Sequence, residues 1–79
     1  MKVTLPALKL ALSTNIKRIR KEKGISQEKL ALKADIDRSY MSEVERSLAN
    51  PSIEALIKIG NALDVTPSEL LETRRRAAK

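Results

Sequence analysis

The segment from Ser26 to Leu48, SQEKLALKADIDRSYMSEVERSL, restricts the folding options of this chain more than any other. It reads as two short helices joined by the three-residue turn Asp35-Ile36-Asp37. Ser26 is placed to cap the first helix, its hydroxyl accepting from the backbone N–H of Glu28 or Lys29. Leu30, Ala31 and Ala34 then line one face at helical spacing. Asp37 is placed to cap the second helix in the same way. From that cap Met41, Val44 and Leu48 recur at i, i+3 and i+7, which leaves Arg38, Ser39, Ser42, Glu43 and Arg46 on the opposite edge. The second helix is therefore apolar beneath and hydrogen-bonding above, dressed for contact rather than for burial.

Composition narrows what such a helix could touch. Seventy-nine residues suffice for one small domain, 1–79, with a single core. Hydrophobic residues make up 42% of the chain and Tyr40 is the one aromatic residue, so that core must be aliphatic. No cysteine or histidine occurs, which removes disulfides, thiolate and imidazole metal ligands and the usual general base. No glycine-rich phosphate loop is present either, so no constellation of nucleophile, base and oxyanion donor can be assembled. The chain is expected not to be an enzyme and to need no cofactor or metal. Sixteen Lys and Arg against ten Asp and Glu give a net charge of +6, which suits a polyanionic partner, nucleic acid before an anionic membrane surface. No apolar run approaches the roughly 18 residues of a membrane span. The opening MKVTLPALKLAL lacks a small-residue cleavage pattern, so a cytoplasmic protein is expected.

Along the chain, Pro6 suits the first position of a helix, and Leu8, Leu12, Ile16 and Ile19 follow at spacings of three or four, predicting a helix from about Pro6 to Lys23 that Gly24 ends. Its outward side carries Lys17, Arg18, Lys21 and Lys23, a basic stripe from which Lys17 is expected to reach a phosphate. Arg20 lies at the margin of the apolar stripe and needs a partner there. After the turn and the second short helix, Ala49-Asn50-Pro51-Ser52 reads as a loop, and Ser52 can cap a fourth helix, IEALIKIGNAL, with Ile53, Leu56, Ile57, Gly60 and Leu63 on or near one side. Gly60 in mid-helix suggests close approach of another helix. Thr66-Pro67-Ser68-Glu69 is a capping box that opens a fifth helix, from about Pro67 to Thr73. A charged, frayed tail from Arg74 to Lys79 is expected after it. Five helices with no convincing strand pattern predict an all-α domain; only Val3-Thr4-Leu5 could be extended.

Taken together, GISQEKLA, DRSYMSEVER and NPSIEALIKIGNALDV, in that order and spacing, resemble the phage-repressor (XRE/Cro-like) helix-turn-helix family, and DRSYMSEVERSLANPS is most similar to the controller proteins of bacterial restriction–modification systems. The resemblance runs from about Leu12 to Leu71, with the helix-turn-helix at about 26–48. It implies a compact five-helix lambda-repressor-like DNA-binding domain. It also implies that Arg20 pairs with Glu45, tying the first helix to the recognition helix. A helix fits the major groove of B-DNA, and short or forked polar side chains near its N-terminal end can reach base edges there. The resemblance places Arg38, Ser39 and Glu43 at base-reading positions, with Ser42 available beside them and Tyr40 near the backbone or a thymine methyl. Gln27, Arg46 and Asn50 fall where the family clamps phosphates. The family's usual form is a homodimer on a palindromic operator in double-stranded DNA, blocking or recruiting RNA polymerase; here Val65 and Leu71 are the residues expected at the dimer interface.

Three departures from the family stand out. Asp35 and Ser47 occupy places where glycine is common, and Leu48-Ala49 replaces a basic pair often found before Asn-Pro. The alternative reading is an antitoxin or a protein-interaction adaptor on the same fold. Only residues 1–11 and 74–79 are then left over to engage a protein partner, which disfavours it.

Overall fold

The computed structural model describes residues 2–73, so the basic tail expected at 74–79 lies outside the described residues. Five helices follow one another: α1 Leu5–Glu22, α2 Gln27–Ala34, α3 Arg38–Glu45, α4 Ile53–Leu63 and α5 Pro67–Leu70. No strand occurs among the described residues, and none of these helices is long and apolar enough to cross a membrane.

Side-chain oxygens open four of the helices. Thr4, Ser26, Ser52 and Thr66 accept from the backbone N–H groups of Ala7, Lys29, Ala55 and Glu69, each cap stabilising its helix by about 1 kcal/mol. Thr4 starts α1 at Leu5, one residue before Pro6. In the capping box of α5 the Glu69 carboxylate accepts from the Thr66 N–H and hydroxyl, and these bonds hold its pKa below the ordinary carboxylate range. That contribution is present above the ordinary carboxylate pKa and fades as pH falls through the lowered value.

The first four helices all end in one way. The N–H groups of Ile25, Ile36, Leu48 and Val65 reach back to the carbonyls of Arg20, Ala31, Glu43 and Gly60, five residues earlier, closing a Schellman motif each time. The motif requires a left-handed residue, supplied by Gly24 (φ 68°), Asp35 (56°), Ser47 (63°) and Asp64 (63°). Only the first is glycine. An L side chain in this conformation costs on the order of 1 kcal/mol, somewhat less for Asp.

The core is aliphatic. Leu12, Ile16 and Ile19 of α1, Leu30, Ala31 and Ala34 of α2, Met41 and Val44 of α3, Leu56, Ile59 and Leu63 of α4, and Leu70 of α5 form one buried cluster, with Ile25, Ile36, Tyr40, Val65 and Leu71 packed on its edge. α1 packs against α3 and α5, α2 against α3 and α4, and α4 against α5. Thus α3 is backed by α1 and α2 while its other face is open.

Two apolar stripes differ from the pattern read in the sequence. Leu48 does not continue the buried face of α3: the helix stops at Glu45, the left-handed Ser47 turns the chain, and Leu48 is 63% exposed. In α4 the inner line is Ala55, Leu56, Ile59, Gly60 and Leu63, whereas Ile53, the first residue of the helix, lies beyond the core edge at 76% exposure and Ile57 is also exposed. Gly60 is not explained by a crossing helix. A Cβ there would stand 2.7 Å from the carbonyl oxygen of Val65, because the α4–α5 turn folds back over its own helix.

Gly60→Ala is therefore expected to lower unfolding free energy by about 1–3 kcal/mol despite alanine's better helix propensity. Asp35→Gly, which relieves a left-handed side chain, is expected to hold or raise the melting temperature. Urea and thermal unfolding of the two variants check both signs.

Candidate nucleic-acid interface

The open face of α3 carries Arg38 and Ser39 at its N-terminus and Glu43 more than a turn further on, all exposed. Met41 and Val44 are buried beneath them, so the exposed groups ride on a helix whose roll about its axis is set by core packing. Ser42 is half-buried on the flank. Tyr40 is also half-buried, its ring packed on the edge of the core. Asp37 occupies the cap position of α3, but its side chain does not accept from the helix backbone as the sequence pattern predicts. Its carboxylate takes the hydroxyl of Ser39 instead, Oγ to Oδ2 2.6 Å, a charge-assisted bond.

The orientation of α3 is locked from behind by charge. Arg20 of α1 and Glu45 in the last turn of α3 meet in a two-pronged pair, Nε to Oε2 at 2.9 Å and Nη2 to Oε1 at 3.0 Å. Their side chains are only 15% and 3% exposed. The remaining guanidinium nitrogen, Nη1, donates to the carbonyl of Ile25 at 3.2 Å. Gln27, at the start of α2, donates Nε2 to the same Glu45 Oε1 at 3.1 Å. One carboxylate thus gathers α1, α2 and α3, and no buried side-chain nitrogen or oxygen among the described residues is left without a partner.

This arrangement changes what Gln27 can offer. Its amide, which the family resemblance puts beside a phosphate, gives one N–H to Glu45. The backbone N–H groups of Gln27 and Glu28, in the first turn of α2, have no acceptor within the helix. At the other end of α3, Arg46 and Asn50 are exposed. Lys17 is exposed on α1 between Ser13, one turn before it, and Arg20, one turn after, and both of those neighbours reach the C-terminal end of α3.

Two contacts were missed in the sequence. Ser13, 2% exposed within the apolar stripe of α1, lies 3.0 Å from the hydroxyl of Ser47 and donates to the carbonyl of Leu10. Either hydroxyl can be the donor between them, with Ser13 in reach of the Leu10 carbonyl and Ser47 of the Lys9 carbonyl at 3.4 Å, and these bonds anchor the strained turn that leads to Asn50. A lone polar residue inside an otherwise apolar stripe was their only signal. Asn15 donates Nδ2 to the carbonyls of Leu70 (2.8 Å) and Glu72 (3.1 Å), clasping the end of α5 to α1. Val65 and Leu71, read in the sequence as dimer-interface candidates, are half-buried against the core. Among the described residues no cluster of His, Cys, Asp and Glu able to hold a metal comes together.

Two short helices joined by a left-handed turn, the second exposed and braced by a third, match the helix-turn-helix family model over residues 16–70. The chain belongs to that family. It is 48% identical over 60 residues to the HTH-type transcriptional regulator SinR of Bacillus subtilis, a match covering 75% of this chain and 54% of SinR, so the chain spans about half the length of that relative. A solved structure of SinR in complex with DNA superposes with a TM-score of 0.73 at 47% identity, covering 77% of this chain and 98% of that one. Control protein C.BamHI of Bacillus amyloliquefaciens is 39% identical over 66 residues, 82% of each chain. The crystal structure of the restriction-modification controller protein C.AhdI from Aeromonas hydrophila superposes with a TM-score of 0.75 at 39% identity over 78% of this chain and 94% of that one. These relatives are regulators and controllers, not enzymes.

Removing one member of the buried pair strands the other. Arg20→Ala and Glu45→Ala are each expected to cost about 3–5 kcal/mol, and replacing both with apolar residues of similar size markedly less than the sum. A double-mutant cycle by urea unfolding checks this; strict additivity overturns it.

Proposed function

We propose that this protein is a sequence-specific, double-stranded-DNA-binding transcriptional regulator that acts as a dimer on a palindromic operator, and that it controls restriction–modification genes. The observation that carries the reading is the exposed row Arg38, Ser39 and Glu43 along a helix held rigid by Arg20, Glu45 and the core, on a chain of net charge +6. Arg38 offers a forked donor to guanine O6 and N7, Ser39 and Glu43 offer acceptors, and Ser42 and Tyr40 border them. Phosphates are met by the first turn of α2 with Gln27 on one side and by Lys17, Arg46 and Asn50 on the other. These contacts set register and carry no base information. The controller assignment is supported by the likeness to more than one controller protein, 39% identity to C.BamHI and a TM-score of 0.75 at 39% identity to C.AhdI.

One such domain covers too little DNA for tight selective binding, and a symmetric pair on half-sites about one helical turn apart supplies the rest. Val65 and Leu71 keep part of their surface, but Ile53 and Ile57, exposed one turn apart on α4, offer the larger apolar area for a second copy. Bound to an operator, the dimer would block or recruit RNA polymerase.

Selection of duplexes from a random library tests the assignment; enrichment of a palindrome supports it, and recovery of no consensus overturns it. Against the selected duplex, Arg38→Ala is expected to lose about 1–3 kcal/mol of discrimination at particular base pairs, while Arg46→Ala weakens selected and random duplexes alike and flattens the salt dependence. Identical behaviour of both variants on both duplexes would remove the division of labour.

A further inference from the structure

The bond between Asp37 and Ser39 fixes which way the Ser39 hydroxyl points its proton. A serine hydroxyl has one hydrogen to give and two lone pairs to receive with, and so does not by itself discriminate between donor and acceptor groups on a base. A carboxylate can only accept, so at 2.6 Å the single hydrogen of Ser39 lies on the line to Asp37 Oδ2. Asp37 is free for this because its side chain makes no cap bond to α3. What Ser39 then turns outward is oxygen lone pairs alone. In the major groove the only donors on base edges are the exocyclic amino groups of adenine and cytosine, while guanine and thymine present acceptors.

We propose that Asp37 is a positioning residue for base recognition: by holding the Ser39 proton it makes Ser39 an obligate acceptor, which selects an adenine or cytosine amino group over guanine or thymine at the base Ser39 meets. The proposal rests on the reading of α3 as a major-groove helix and adds to it the chemical class of one base contact. It also assigns a cost. Asp37 is exposed at the DNA-facing end of α3, and its charge opposes the phosphates whatever the sequence, so selectivity at one base pair is gained against general affinity.

Those two effects separate cleanly by mutation. Asp37→Asn keeps a side-chain oxygen to accept from Ser39 but removes the charge; Asp37→Ala removes both. The full chain, its two Asp37 variants, Ser39→Ala and the Asp37→Ala/Ser39→Ala double variant are titrated against the duplex selected from the random library, against single-base-pair substitutions of it, and against a random duplex. Thermal melts by circular dichroism confirm that each variant is folded. For the natural chain one position is expected to favour adenine or cytosine by about 5- to 100-fold. Ser39→Ala and Asp37→Ala should each flatten that position to within a few-fold, the double variant no further, while Asp37→Asn keeps most of the preference. Both Asp37 variants should bind the random duplex as tightly as the natural chain or more so. Retention of the preference in Asp37→Ala, its loss in Asp37→Asn, or a guanine or thymine preference at the Ser39-dependent position overturns the proposal. A natural chain that enriches no sequence at all overturns the major-groove reading itself, a result distinct from any of these.

Discussion

A buried carboxylate holds this domain in its working shape. Glu45 is almost wholly withdrawn from water, a position unfavourable for a charge unless every lone pair is met. Arg20 meets it with two N–H groups and Gln27 with a third, and the leftover guanidinium nitrogen is absorbed by Ile25. The outcome is geometric more than energetic. Hydrophobic contact between α1 and α3 would tolerate some sliding, but a two-pronged pair with defined angles does not. The face that carries Arg38 and Ser39 is consequently presented at a fixed roll and pitch.

Periodicity exposed much of this architecture, and its failures have local physical causes. Leu12, Ile16, Ile19, Leu30, Ala34, Met41 and Val44 lie in the interior as their spacing implies, since each lies after the first turn of its helix, where the 3.6-residue repeat holds. Leu48 and Ile53 fit the same repeats on paper, yet one follows a left-handed residue and the other starts a helix at the rim, where the repeat no longer points inward. Asp37 shows a different limit. A sequence indicates that an acidic residue precedes a helix, but whether its oxygen meets a backbone N–H or a nearby hydroxyl is decided by a few tenths of an ångström. The Arg20–Glu45 contact was readable only through family resemblance, because nothing in spacing links residues 25 positions apart.

The interface itself divides along the same line. Exposed charge on α3 and basic residues at its flanks could be placed by elimination, being what remains after the apolar stripes are assigned. The hydroxyl pair of Ser13 and Ser47 could not, since it joins a helix interior to a turn more than thirty residues later. Its effect is to steady the turn before Asn50, where the family more often relies on glycine.

Asp35, Ser47 and Asp64 have a consequence that reaches beyond geometry. A domain this small has only a few kcal/mol separating its native form from the unfolded chain, and three left-handed side chains withhold a noticeable share of that margin. None of the three belongs to the buried cluster. They amount to adjustable stops through which the abundance of the folded protein, and with it the timing of whatever genes it governs, could be retuned while the exposed face of α3 stays as it is.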